Sequence, residues 1–402
     1  MKRATKSPQN VAKPTKVAKN ATEANSTTAG EVRSISSNKK VQNYKMLYLK
    51  NGLKYPISRL LGEGVFGIVF ECQNERNEKL AAKVMKKTNE PPDTWKIELH
   101  ILERIADCPH ENLLQLQSVA AIHGPPVHCS ENVIMTNALG PSMLDVITSA
   151  ETMMQTDDQG CTFPINQIRA IGRQIVSAMT HLDTVVNVYH LDLKPENVYF
   201  VENGAFDIRR LPSRHVSIQM RDTRIQIGDF GCSKFHKDSE ADIKPTMVQT
   251  QNYRAPEIFL GLPYSMKSDV WSFGALMCEM YTGELLFFGT EDEHTEATQF
   301  EMMQRVVGQY CSRAMMRRAL TIGSEKMRKR AGMLQRNAVK FEPTVPLHMN
   351  IKKYDVEAID LFEMLRDVLI LDPEHRPTFE EIQKHAFFLQ SDDFQFLPPF
   401  FT

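Results

Sequence analysis

The sequence predicts an α+β fold of two lobes, a small one built on antiparallel strands followed by a larger and mainly helical one. Three observations carry this. Short alternating apolar segments begin at Tyr55, helical periodicity takes over after about Gly140, and a polar, cationic stretch precedes both. With 402 residues, 42% hydrophobic and 24% charged, the chain has ordinary globular composition and enough apolar material for two sizeable cores.

Residues 1–45 carry ten Lys and Arg against two Glu and almost no large apolar side chains. Such a stretch cannot bury enough surface to offset its chain entropy, so it is expected to be a disordered basic tail. The net charge of the whole chain is −1, which leaves the remainder acidic, and general binding to nucleic acid is not expected. Seven cysteines are scattered without a C-x-x-C pair, as for reduced thiols in a nuclear or cytoplasmic setting, and no structural zinc is indicated. No apolar run approaches the roughly 20 residues of a membrane helix, so a soluble protein without membrane contact is expected.

From Tyr55, "YPISRLL", "GIVFEC" and "KLAAKVMKK" alternate as strands of one antiparallel sheet, and Pro91-Pro92 closes the run. Asp93 can cap a helix reaching about Ala106, with Ile97, Ile101, Leu102 and Ile105 on its apolar face and Glu98 among them. Farther on, "NQIRAIGRQIVSAMTHLD" and "SDVWSFGALMCEMYTG" repeat apolar residues at helical spacing, the second stopping at Gly283. The expected division is a domain over 46–388, with the first lobe at about 55–136 and the second at about 141–388, and a short tail over 389–402.

The chemistry-bearing motifs come in a definite order. Gly62-Glu63-Gly64-Val65-Phe66-Gly67-Ile68-Val69 fits G-x-G-x-x-G-x-V. The same spacing marks dinucleotide-binding folds, but there the glycines open a helix, whereas here a strand follows. A glycine loop between two strands is a flap whose N–H groups can cover triphosphate oxygens. Lys83, inside an apolar strand, and Glu98, on an apolar helix face, would each be costly alone, and each relieves the other if they meet. In "HLDLKPENVYF", Asp192 can accept the proton of an attacking hydroxyl, Lys194 can neutralise a transferring phosphoryl group, and Asn197 can offer an oxygen to magnesium. The strand Ile225–Gly228 then ends in Asp229-Phe230-Gly231, which places Asp229 to bridge a metal to the phosphates.

This series, completed by Ala255-Pro256-Glu257, resembles the eukaryotic protein kinases over about Tyr55 to Phe388. The resemblance implies a bilobal protein-kinase fold, with ATP and Mg2+ as cofactors and protein substrates bearing Ser or Thr acceptors, Tyr being a further acceptor to consider. It also implies that Asp269 orders the catalytic loop, that Arg376 pairs with Glu257, and that the catalytic domain is a monomer. A scaffold that has lost catalysis is the rival reading, and the presence of Lys83, Glu98, Asp192, Asn197 and Asp229 together speaks against it. By the same resemblance, Thr136 is the gatekeeper, Ala138 and Leu139 meet adenine through their backbone, and Leu61, Val69 and Ala81 roof the purine. Tyr199 stands where an aliphatic floor is usual, and either reshapes that pocket or rotates away.

Within the superfamily the chain is similar to the CDC-like, or LAMMER, group of the CMGC kinases. The long segment between Asn197 and Asp229 suggests an extra hairpin, "VQTQNYRAPEI" is similar to that group's activation-segment ending, and "EMMQRVVG" resembles the LAMMER signature. Glu301 and Gln304 depart from it, standing where the signature has Ala and Glu. Leu191 replaces the Arg usual between His and Asp, so the clamp that reads an activation-segment phosphate is missing. Thr246 and Thr250 read as surface or structural residues first and phosphosites second. The basic segment Ser312 to Arg336 reads first as a solvated helical face, with docking of acidic or phosphorylated substrates as the alternative.

Overall fold

A computed structural model of the chain describes residues 44–390, apart from 65, 88–93, 127, 155–159, 211–215, 237–247, 289–292, 323–324, 326–327, 330 and 334–356. The basic tail up to residue 43, the break at Pro91-Pro92, the capping Asp93, the flap residue Val65 and Thr246 therefore lie outside the described residues.

The first lobe is one antiparallel sheet of six strands, β1 (Met46–Tyr48), β2 (Lys54–Glu63), β3 (Gly67–Gln73), β4 (Lys79–Lys86), β5 (Leu116–Ala121) and β6 (Cys129–Asn137), in the order β1-β2-β3-β4-β6-β5. Its two ends approach each other. Leu49 pairs with Ile122, and His123 N–H donates to the Tyr48 carbonyl at 2.8 Å. Closing the sheet in this way satisfies edge groups that an open sheet would leave to solvent or to another chain. Period-two alternation buries Ile68, Phe70, Ala82 and Val84 on one face and leaves Val69, Ala81 and Lys83 on the other. Tyr44 already belongs to this lobe, its ring 6.1 Å from that of Phe70.

Helix α1 (Thr94–Asp107) crosses the lobe and buries Ile101, Leu102 and Ile105 in an apolar cluster that continues into the second lobe, while Ile97 is partly buried against it. Glu98 shares that inward face.

The second lobe contains α2 (Met143–Met154), α3 (Ile165–His181), α4 (Pro256–Phe259), α5 (Met266–Thr282), α6 (Glu293–Val307), α7 (Arg313–Thr321) and α8 (Glu357–Val368). Helix α5 is its axis, buried nearly all round, with Trp271, Phe273, Leu276 and Cys278 fully enclosed. The Ser265 side chain caps its start by accepting the Lys267 N–H, and Gly283, at φ 74°, ends it with an N–H bond to the Glu279 carbonyl. A helix enclosed on every side is a rigid platform, and the site's loops hang from it.

Short strands place those loops: β7 (Cys161–Thr162), β8 (Val188–Tyr189), β9 (Val198–Phe200), β10 (Phe206–Arg210), β11 (Val216–Met220), β12 (Ile225–Ile227) and β13 (Lys234–Phe235). The expected extra hairpin is β10–β11, paired antiparallel, with β11 extended in parallel by β7. In the LAMMER-like helix α6, Arg305 pairs with Glu301 one turn earlier at 2.5 Å. Buried Gln304 accepts the Cys311 N–H at 2.9 Å, so the amide standing in place of the signature's Glu closes the helix end. In the basic segment, α7 buries Met315, Met316 and Ala319, and Arg318 pairs with Glu374 at 2.7 Å on the surface.

Candidate active site

Strand β4 brings Lys83 to the edge of α1, where its ammonium bonds both carboxylate oxygens of Glu98, at 2.6 and 2.8 Å. The same ammonium reaches Asp229 Oδ1 at 3.4 Å, so it lies between two acids from different lobes. Burial works against the Lys83 charge, but the two carboxylates outweigh it and hold its pKa above the ordinary lysine value. Asp229 is pulled the other way: burial alone would raise its carboxyl, and the Lys83 charge and the Gly231 N–H bring it below the usual range.

The loop that carries Asp192 is held from beneath. Both oxygens of fully buried Asp269, on α5, accept backbone bonds, from His190 N–H at 2.9 Å and Leu191 N–H at 2.8 Å. Burial pushes the Asp269 carboxyl up to about 8, and the two backbone donors oppose the rise. Leu191 is forced to φ 59° in the process, a conformation most side chains avoid. His190 Nδ1 accepts the Asp192 N–H at 3.2 Å, and its Nε2 stands 3.2 Å from the Gly228 carbonyl. Together these fix a neutral ring protonated on Nε2, in keeping with the downward pull of burial on its pKa.

Asp192 is the convergence point. Its Oδ1 accepts the Thr250 N–H at 3.0 Å and the Thr250 hydroxyl at 2.7 Å, and its Oδ2 lies 2.9 Å from the Lys194 ammonium and 3.2 Å from Asn197 Nδ2. Thr250, read from sequence as surface or structural, is structural, since its hydroxyl also accepts from Lys194 at 2.7 Å. Asn197 ties the two acidic motifs together: its Nδ2 donates to the Asp192 carbonyl at 2.8 Å and its own carbonyl accepts the Gly228 N–H at 3.0 Å. Burial lowers and the Asp192 carboxylate raises the Lys194 pKa, with a further upward contribution from Asp229, and the net shift is upward. Lys83, Asp192 and Asp229 thus share one site.

The flap lies over this cleft, joining β2 to β3. A Cβ added to Gly62 or Gly64 would meet nothing within 4 Å, so both leave open space. A Cβ on Gly67 would sit 2.7 Å from the Val84 carbonyl, so that glycine is demanded by the sheet beneath it. Phe66 lies with its ring centroid 5.8 Å from the Lys83 ammonium and close against Gly231. Glu63 binds Lys86 at 3.0 Å, and Lys86 also holds the Gly64 carbonyl at 2.8 Å.

At the hinge, buried Thr136 pairs with Ala81 across β6 and β4. The Ala138 N–H donates to the Lys79 carbonyl at 3.4 Å, while Leu139 N–H has no bond among the described residues. The Tyr199 ring packs on Gly228, where an added Cβ would lie 3.2 Å from it, and burial raises the phenol pKa. The Arg376–Glu257 pair expected from the resemblance is present at 2.7 Å with both side chains fully enclosed. Sequence reasoning missed Gln249 and the bond between Tyr253 and Glu279. Gln249 and Tyr253 lie in the stretch "VQTQNYRAPEI", whereas Glu279 lies farther along, inside α5.

The protein kinase domain family model matches residues 55–388. The chain is 29% identical over 350 residues to the dual specificity protein kinase lkh1 of Schizosaccharomyces pombe, covering 84% of this chain and 47% of that protein. It is 28% identical to the serine/threonine-protein kinase AFC1 of Arabidopsis thaliana, covering 86% of this chain and 73% of the relative. It is also 28% identical to the human dual specificity protein kinase CLK2, with 83% and 64% covered. The chain therefore spans about half the length of the first of these relatives and more of the others. The crystal structure of the PF14_0431 kinase domain superposes with a TM-score of 0.67 over 87% of this chain and all of that one, at 24% identity, and it shows the same fold. With the motifs gathered in one cleft and the family model spanning both lobes, the chain belongs to the protein kinase family.

Proposed function

We propose that the protein transfers the γ-phosphoryl group of ATP to Ser and Thr hydroxyls of protein substrates, and to Tyr as a further acceptor. The observation that carries this is Asp192, a carboxylate held by Thr250, Lys194 and Asn197 and joined through Asn197 and Gly228 to the Lys83–Asp229 pair. That arrangement separates a proton acceptor from the groups that neutralise phosphate charge, and phosphoryl transfer needs both.

The residues present fit the nucleotide and its metal. Gly62 and Gly64 leave room for backbone to approach phosphates, Lys83 offers a charge fixed by Glu98, and Asn197 with Asp229 offers the hard oxygen donors that magnesium prefers. Magnesium, when bound by Asn197 and Asp229, supplies Lewis-acid neutralisation of the phosphate oxygens. Lys83 holds the α- and β-phosphates, Lys194 faces the transferred group, and Asp192 accepts the proton of the substrate hydroxyl. The backbone of Ala138 and Leu139 receives adenine beneath Leu61, Val69 and Ala81, with Tyr199 and Gly228 shaping the floor. Since Ala138 N–H is engaged by Lys79, its carbonyl and the Leu139 N–H are the groups left to the base. The lowering of the barrier then comes from positioning and from preorganised charge.

Among the described residues no helix is long and apolar enough to cross a membrane, and the chain's relatives are protein kinases by name. We place the protein in the nucleus or cytoplasm, working as a monomeric catalytic domain. The test is the full chain with ATP, Mg2+ and a degenerate peptide library carrying Ser, Thr or Tyr acceptors, beside Asp192→Asn and Lys83→Met. Both variants should lose transfer while staying folded, and undiminished transfer by either removes the assigned roles.

A further inference from the structure

Among the described residues, three non-glycine residues hold positive φ at the site: Leu191 at 59°, Asp229 at 60° and Gln249 at 67°. Leu191 is held there by Asp269, and Asp229 by Lys83 and the Gly231 N–H. Gln249 has no part in that chemistry, yet it is buried to 5% exposure directly before Thr250. Strain of this kind persists only where surrounding bonds over-determine it.

The bonds that hold Gln249 use its whole side-chain amide. Nε2 donates to the Ser268 carbonyl at 3.0 Å and to Ser272 Oγ at 2.9 Å, both on α5, and Oε1 accepts the Ala255 N–H at 2.8 Å. Its main-chain carbonyl accepts from Arg254, at 3.2 Å from Nε and 2.9 Å from Nη2, and Arg254 Nε also binds the Val248 carbonyl at 3.0 Å. The neutral amide thus pins the end of the activation segment to the rigid central helix. The next residue then presents both its N–H and its hydroxyl to the same oxygen of Asp192.

A phosphate-reading segment would need cations from the catalytic loop, and position 191 supplies an enclosed leucine instead. Arg254 is turned onto carbonyls and lies 5.3 Å over the Phe259 ring. We propose that Gln249 is a positioning residue that docks the activation segment through neutral hydrogen bonds, so that Asp192 is set for catalysis without phosphorylation of that segment. This rests on the reading of Asp192 as the proton acceptor and adds to it what holds that acceptor in place.

The experiment compares the full-length wild type, Gln249→Glu, Gln249→Ala, Ser272→Ala and Asp192→Asn, with ATP, Mg2+ and a Ser/Thr peptide. Nucleotide-competent molecules are counted by titration with a fluorescent ATP analogue, so that kcat is expressed per folded site. Gln249→Glu keeps the shape and removes both donors; kcat should fall about tenfold or more while KM for ATP stays within about twofold. Ser272→Ala, which removes one acceptor, keeps the measurement available if the Gln249 variants fold poorly, and should lower kcat by a few-fold with the same KM pattern. Wild type stripped of phosphate, as verified by mass spectrometry, should phosphorylate peptide at full initial rate without a lag. Gln249 and Ser272 variants within about twofold of wild-type kcat, beside an inactive Asp192→Asn, overturn the role of Gln249 and leave the reaction assignment standing. A lag in the dephosphorylated wild type, ended by autophosphorylation, overturns phosphate independence.

Discussion

Replacing Arg376 by Met should destabilise the helical lobe by about 3–5 kcal/mol, the usual cost of stripping one partner from an enclosed ion pair. The structure accounts for the size. All five guanidinium N–H groups are used: Nε binds the Ile370 carbonyl, Nη1 binds Glu257 Oε1 and the Lys267 carbonyl at 2.8 Å each, and Nη2 binds Glu257 Oε2 at 2.7 Å and the Leu371 carbonyl at 2.9 Å. Methionine of similar length fills much of the space but satisfies none of these acceptors. Glu257, whose side chain has 0% exposure, then keeps the Ser268 hydroxyl at 2.6 Å as its side-chain donor. The assay is urea unfolding followed by far-UV circular dichroism and tryptophan emission, because the Trp271 ring lies 5.2 Å from the guanidinium and reports the same region. The double variant Glu257→Leu/Arg376→Met should recover most of the loss, since it removes both charges and leaves no carboxylate stranded in the core. A single variant that loses less than about 1 kcal/mol, or a double variant as unstable as the sum of its parts, refutes the reasoning.

Burial raises the Glu279 carboxyl from 4.5 to about 7, so the folded chain holds a proton there that the unfolded chain releases. Its contribution to stability is full below pH 4.5 and is lost as pH rises to about 7, by roughly 3 kcal/mol from a shift of that size. Glu279→Gln should flatten stability over that interval while its amide oxygen still accepts the Tyr253 hydroxyl, and parallel urea midpoints against pH for both proteins would sink the claim. In the flap, Gly67→Ala should force the chain away from the Val84 carbonyl, lowering both thermal stability and ATP affinity. Gly64→Ala, whose new methyl meets nothing, should leave the melting temperature unchanged and weaken only nucleotide binding, and equal melting losses in the two variants would contradict this reading.

Much of the site was legible because its strongest signals are local. Alternation along β4 places Lys83 on the opposite face from Ala82 and Val84, and helical spacing puts Glu98 on the inward side of α1. Each position is energetically awkward alone, which is why the sequence already suggests that they meet. Thr250 and Gln249 offered no such clue. A threonine or glutamine in a polar loop is unremarkable, and only the path of the chain shows the first on Asp192, 58 residues earlier, and the second on the central helix. Tyr199 lay between these cases: its type was visible, but its contact with Gly228 came only with the fold.

By itself the sequence determined the order of the elements, the face on which each charged residue sits, and the chemical types assembled for phosphoryl transfer, because periodicity and turn chemistry act between near neighbours. Tertiary structure closed the pairings that the family resemblance implied, Asp269 beneath the Asp192 loop and Arg376 around Glu257, and it alone decided that Gln249 docks against α5. Those pairings join residues 78, 119 and 23 positions apart, and their strength comes from excluding water around a fully satisfied polar group. Such exclusion exists only once both cores have closed.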